Sequence, residues 1–192
     1  MKVAIGLKAH SGWAALVSVG RQDGSLVVSA RQRIDLVEEA WAKQPYHAAE
    51  HLEPARARER VAQGIAMARR MAVAELQAVI ESERSRHHTV EAVAVLAGAP
   101  MPAWTVDEIL SVHFRMHKAE GVLFREVLAA AAKACGVKTL EIPDKELETR
   151  TSLARQVAAL GPSIGPPWGK DQKEAALAAL VALEERRGDL GH

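Results

Sequence analysis

The clearest chemistry in the sequence lies in the stretch His113-Phe114-Arg115-Met116-His117-Lys118-Ala119-Glu120. Positions 113, 117 and 120 follow i, i+4, i+7, so a helix would set two imidazoles and a carboxylate along one stripe. Two histidines four apart can chelate zinc, but Phe114 stands where helical metalloprotease motifs carry their general base. Three uses stay open. The stripe can be a hydrogen-bonded seam against a sheet, a polar active site with His113 or His117 as base and Glu120 orienting it, or a metal site. Arg125 follows further along the segment.

Other candidates lie far away in the chain. His10 and Ser11 fall in the small polar stretch Lys8-Ala9-His10-Ser11-Gly12. Adjacent residues seldom face each other, so they are a polar turn tip or part of a site completed from elsewhere, not a triad. Gln44-Pro45-Tyr46-His47 joins a rigid proline to the only tyrosine and an imidazole. The ring either anchors its segment or lines a pocket with His47. The run Gly161-Pro162-Ser163-Ile164-Gly165-Pro166-Pro167-Trp168-Gly169 has too many prolines, and so too few amide donors, for a phosphate loop. Just after it, Asp171 either caps a helix or joins Lys173 as an acid and a cation in a cleft. Trp168 could be a stacking wall there or a cover for the core.

Regular elements must bring these residues together. Val3 to Leu7 and Trp13 to Val19 predict a hairpin about the polar stretch, and Leu26 to Ile34 a third, edge-like antiparallel strand. From Glu38 to Glu53 no period is sustained, which predicts a long connection of the kind that often carries function. Val61, Ile65, Ala68, Ala72, Leu76 and Val79 then predict a helix from about Pro54 to Arg84. Glu91 to Ala97 predicts a buried strand, ended by Gly98 and two prolines. A second helix is expected from Thr105, with Glu108 completing a capping box, to Cys135, and Val137 to Ile142 a fifth strand. Asp144 is placed to cap a third helix reaching Leu160, and a last helix runs from about Lys170 to Arg187. The sequence thus predicts an α/β fold in which a mixed five-stranded sheet, three antiparallel strands first, carries helices on both faces.

Composition narrows the function. The 192 residues are 48% hydrophobic and 26% charged, and fit one domain spanning 1–192. The formal net charge is +1, so no global field draws the chain to polyanions, and any such binding is local. The many arginines between Arg56 and Arg86 alternate with glutamates and lack interleaved aromatics, as on a solvated face. The single cysteine, Cys135, forms no internal disulfide and lies in an Ala-rich run that suits burial. No stretch is long and apolar enough for a membrane span, and a cytoplasmic protein is expected.

The element order, together with two segments, resembles the RNase H-like fold and in particular the RuvC-type resolvases. The segments are Val3-Ala4-Ile5-Gly6-Leu7-Lys8-Ala9-His10-Ser11-Gly12-Trp13-Ala14 and Lys170-Asp171-Gln172-Lys173-Glu174-Ala175-Ala176-Leu177-Ala178. His10-Ser11-Gly12-Trp13-Ala14 and Gly165-Pro166-Pro167-Trp168-Gly169-Lys170-Asp171 also resemble an uncharacterised bacterial family. The resemblance implies carboxylates on the first strand, the fourth strand and the last helix, holding two divalent cations against a phosphate. Here Lys8 stands at the first position and Ala97-Gly98 at the second; only Asp171 or Glu174 fits the third. Ordinary two-metal nuclease chemistry is therefore disfavoured.

One polar cleft is expected at one sheet edge, rich in imidazole where a nuclease is rich in carboxylate. His10, His113, His117, Glu120 and Asp171 are the catalytic candidates, and Ser11, His47, Arg125, Trp168 and Lys173 the substrate-binding ones. The expected function is binding or acting on nucleic acid or another phosphate compound, with a divalent metal as a possible cofactor and homo-oligomerisation as a possibility. A scaffold without activity and a small-molecule enzyme using the histidines are the alternatives.

Overall fold

Strand β1 (Lys2–His10) decides the layering, because its alternate residues serve two different cores. Ile5 and Leu7 join the larger core, while Ala4 joins the opposite one. The computed structural model describes residues 1–189, with side chains to Glu185. β2 (Trp13–Gln22) and β3 (Ser25–Asp35) pair antiparallel, and β2 pairs antiparallel with β1. β4 (Thr89–Ala97) runs parallel to β1, and β5 (Thr139–Pro143) parallel to β4. The sheet order is β3-β2-β1-β4-β5, the mixed sheet the sequence predicts.

Helices cover both faces, which is why the central strands read as nearly continuous apolar runs. α1 (Pro54–Ser85) and α3 (His113–Ala134) cover one face, burying Leu76, Val127 and Leu128 against Leu16, Val93 and Val95. α7 (Lys170–Asp189) covers the other, packing Ala175, Ala179 and Leu180 on Ala4, Val17 and Ala94. Parallel β1, β4 and β5 all end at one edge of this sheet, and chain reversals there leave the groups that can meet a ligand.

Several boundaries differ from the sequence expectation. β1 continues through Lys8 and Ala9 to His10, and the turn shrinks to Ser11 and Gly12. Gly12 has φ +83°, and a Cβ there would come within 2.7 Å of Lys43 Cγ, so glycine is required both by backbone and by space. The single helix expected from Thr105 to Cys135 is two. The capping box of Thr105 and Glu108 starts α2 (Val106–Leu110), and Val112, extended at φ −140°, separates it from α3. The helix expected from Asp144 to Leu160 is likewise divided, into α4 (Asp144–Thr149) and α5 (Thr151–Ala159), and a short α6 (Gly161–Ile164) forms inside the Gly- and Pro-rich stretch expected to interrupt the helices. Asp144 and Asp171 lie in the first turns of α4 and α7, where a carboxylate suits the helix dipole; Pro143, not Asp144, is the N-cap of α4.

The segment between β3 and α1 is ordered by a third apolar cluster rather than by periodicity. Tyr46 and Ala49 are buried there with Val61, Ile109, Met116 and Ala119. Gly64 makes this possible, since a Cβ on it would come within 2.8 Å of the Pro45 ring and 3.2 Å of Trp41. Two short 3-10 turns result, Ala40–Lys43 and His47–Ala49. Among the described residues, no helix is long and apolar enough to cross a membrane.

Candidate functional site at the strand ends

Extending β1 past Leu7 puts Gly6, Lys8 and His10 on the face turned to α7, two residues apart. Their partners step back along α7. Gly6 abuts the backbone of Ala175, Lys8 Nζ is 2.9 Å from Glu174 Oε2, and His10 Nε2 is 3.1 Å from Asp171 Oδ2. The segment before α7 is held by Arg31 of β3, which donates to the carbonyls of Gly165 (2.8 Å) and Pro167 (2.6 Å). His10 is also stacked on Trp13 at 4.2 Å, and the Arg33 guanidinium lies 4.2 Å from the same indole.

Lys8 thus occupies the centre of a small ionic site. Its ammonium also lies 3.8 Å from Asp144 Oδ1 at the start of α4, and Lys170 is 3.6 Å from Glu174. A hollow of about 390 Å³ is lined by Lys8, Asp144, Lys170 and Glu174, and an adjoining one of about 160 Å³ by Lys8, Gly121, Arg125 and Asp144. Arg125 crosses the end of β4. A Cβ on Gly98 would fall within 1.7 Å of Arg125 Nη1, so the absence of a side chain at Gly98 is what admits the guanidinium. Two cations, Lys8 and Arg125, therefore stand with Glu174 and Asp144 at the end of the sheet.

The part played by the Lys8 ammonium can be tested by replacing it with an acid. Lys8→Asp removes the cation from between Glu174 and Asp144 and should cost roughly 2 kcal/mol, less than for a fully enclosed pair because these groups are partly exposed. Mg²⁺ should then recover stability in thermal melts, by up to about 2.7 kcal/mol at a hundredfold excess over Kd, while leaving the wild type unmoved. A variant that melts identically with and without Mg²⁺ would show that Glu174 and Asp144 do not hold a cation once the ammonium is gone.

A second cluster forms at the beginning of α3. His113 and His117 lie one turn apart, with Nε2 atoms 3.1 Å from each other. His47 packs against both, with ring centroids 5.1 Å from His113 and 4.6 Å from His117. Glu120 is buried and receives two hydrogen bonds from His47, one from the backbone N–H at 3.1 Å and one from Nδ1 at 2.6 Å. Glu50 Oε1 lies 3.3 Å from His113 Nδ1. Next to this cluster, burial and the neighbouring Glu126 and Glu120 carboxylates raise the pKa of Tyr46, so its phenol keeps its proton.

The structure thus divides the sequence candidates between two groups. His47, His113, His117 and Glu120 meet in one; His10 and Asp171 meet in the other, and Arg125 with Lys8 lines the hollow beside it. His117 and Gly121 are one turn apart on α3, a rise of about 6 Å, so the two groups are neighbours along one helix. Ser11 is an exposed turn tip, and Lys173 an exposed side chain of α7. Trp168 is committed to packing, half-buried on the α7 core with Nε1 donating to the Val157 carbonyl at 3.2 Å. Sequence patterns missed Glu50, Asp144 and the central place of Lys8, because single charged residues carry no periodic signal. Cys135 is half-buried with its thiol pushed up by burial, as expected of an unreactive cysteine.

No protein-family model matches the sequence, and no curated protein matches it. The fold is nevertheless similar to that of T. thermophilus RuvC in complex with a Holliday junction substrate, with a TM-score of 0.55 and 16% identity over 97% of this chain and 96% of that one. A second Thermus thermophilus RuvC structure gives a TM-score of 0.52 at 16% identity, again over 97% and 96%. The architecture is RuvC-like.

Proposed function

We propose that the protein binds nucleic acid, or another compound presenting a phosphate, at the edge where β1, β4 and β5 end, with Lys8 and Arg125 as the phosphate-facing cations. The observation that carries this is the placement of both cations in one hollow, Lys8 held between Glu174 and Asp144 and Arg125 admitted by Gly98. An ammonium has three donors, so two carboxylates can orient Lys8 without exhausting it. The RuvC chain of similar fold, solved with a Holliday junction substrate, supports nucleic acid as the first ligand to try. His10, stacked on Trp13 with its Nε2 3.1 Å from Asp171 Oδ2, lines neither hollow.

Binding of four-way, duplex and single-stranded DNA should be measured across a salt series with a chelator present. Affinity is expected to fall linearly with salt on logarithmic axes, by a slope of about −0.9 per duplex phosphate contact. Lys8→Ala and Arg125→Ala should each weaken binding by about tenfold to a hundredfold, the cost of losing a charge-assisted hydrogen bond. Gly98→Ala should reproduce the Arg125 defect with little loss of stability, since only the end of a flexible side chain must move. No binding to any of these DNAs, or binding indifferent to salt and to all three variants, would overturn DNA as the ligand of this edge.

A further inference from the structure

The geometry points to a mononuclear transition-metal site formed by His47, His113 and His117, with Zn²⁺ the best-suited ion, backed by Glu120 and Glu50. It lies apart from the Lys8 hollow and is built from imidazole, whereas cations of the Mg²⁺ type take oxygen ligands. One ring nitrogen from each histidine can be chosen so that all three lie within 4.8 Å of one another.

Three features single this cluster out from a chance grouping of histidines. First, the hydrogen bond to Glu120 fixes the proton of His47 on Nδ1, leaving Nε2 as a bare lone pair. That Nε2 is buried and has no hydrogen-bond partner, a costly condition unless something accepts the lone pair. Second, His113 offers Nδ1 to Glu50, which again turns its Nε2 lone pair inward, where it meets Nε2 of His117 at 3.1 Å. Ligands of a tetrahedral Zn²⁺ at about 2.0–2.1 Å stand roughly 3.3–3.4 Å from each other, so this pair is already near the required spacing. Third, a carboxylate behind each of two ligating imidazoles is the arrangement that fixes tautomers and raises ligand basicity at metal sites.

The site has the open form of a catalytic centre rather than the closed form of a structural one. It supplies three protein ligands, and the side chain of His113 is 61% exposed, so a fourth position faces solvent. Water or an anionic oxygen is the ligand class that fits there. The remaining adjustment is small, because one ring nitrogen of each histidine already lies within 4.8 Å of the others.

The test is a Zn²⁺ titration of chelator-stripped protein without nucleic acid, followed by Co²⁺ substitution read in the visible spectrum. One equivalent of Zn²⁺ should bind, and Co²⁺ should give the intense bands of a four- or five-coordinate ion. His117→Ala should lower Zn²⁺ affinity at least about a hundredfold, and Glu120→Gln, which keeps the ligands but weakens the support of His47, about 10–100-fold. His117 is exposed, so its removal should leave the circular dichroism spectrum and thermal melt unchanged. If stoichiometric Zn²⁺ is not taken up, or uptake survives a folded His117→Ala variant, the site is refuted and the 3.1 Å contact is an ordinary imidazole hydrogen bond. Because DNA binding is assayed in chelator, failure here and failure of the phosphate proposal are read separately.

Discussion

Replacing Gly6 with alanine is expected to abolish or severely weaken folding. A Cβ at that position would lie 1.8 Å from the Ala175 carbonyl oxygen, 2.8 Å from its carbon and 2.9 Å from the Ala179 nitrogen. All three are backbone atoms of α7, so no rotamer change relieves the clash. Nor can the helix retreat as a unit, because Ala175, Ala176, Ala178 and Ala179 are completely buried against the sheet. Overpacking typically costs about 1–3 kcal/mol when side chains can yield; here about 3 kcal/mol is a lower bound. For a chain of this size that lowers Tm by about 6–12 °C, and it consumes much of a typical stability of about 5–15 kcal/mol. Thermal and denaturant melts would check it. A Gly6→Ala variant with wild-type stability would mean that β1 and α7 do not touch as described, and the Lys8–Glu174 and His10–Asp171 pairs would fall with that contact.

Glu83→Ala should be the next most damaging substitution, although Glu83 takes no part in the proposed sites. Its carboxylate is fully buried at the end of α1, 2.6 Å from His88 Nδ1 and 2.8 Å from Ser29 Oγ. Ser29 is the extra residue of a bulge between β2 and β3, which turns its hydroxyl toward the acid. Burial alone would raise the Glu83 pKa. Hydrogen bonds from His88, Ser29 and Ser18 and the charge of Arg86 outweigh burial and hold it below the ordinary range. Removing the carboxylate strands these partners in the interior, at a cost of about 3 kcal/mol at neutral pH.

The sign of the pH dependence follows from that lowered pKa. A depressed carboxylate stabilises the fold above its unfolded value, and the stabilisation is lost as pH falls through the folded value. Wild-type stability should therefore decline on acidification through and below the usual carboxylate range. The gap between wild type and Glu83→Ala in denaturant melts should narrow over the same interval. A gap that stays constant with pH would show that packing, not the charge, is what Glu83 contributes.

Periodicity made the layers legible in advance, and it failed where contacts rather than spacing impose order. The alternation in β1 and β4 and the three- and four-residue spacing of Val61, Ala68, Ala72 and Leu76 are local consequences of strand and helix geometry. Val112 does not betray the break before α3, since a single β-branched residue costs a helix little and tertiary packing decides. The segment around Tyr46 shows no period because Gly64 and the buried cluster beneath it fix its path.

The chain by itself determined which groups were available for chemistry. The helical stripe of His113, His117 and Glu120, the lysine at position 8, the glycine at position 98 and the acids of α7 can all be read without coordinates, because residue type and spacing are properties of the chain. Tertiary structure alone decided their partners. His47 reaches Glu120 across 73 positions, and Lys8 meets Glu174 only because a glycine on β1 lets α7 approach at backbone distance. Lone pairs and charges interact over a few ångströms, and only packing of the whole sheet and its helices brings distant parts of the chain that close.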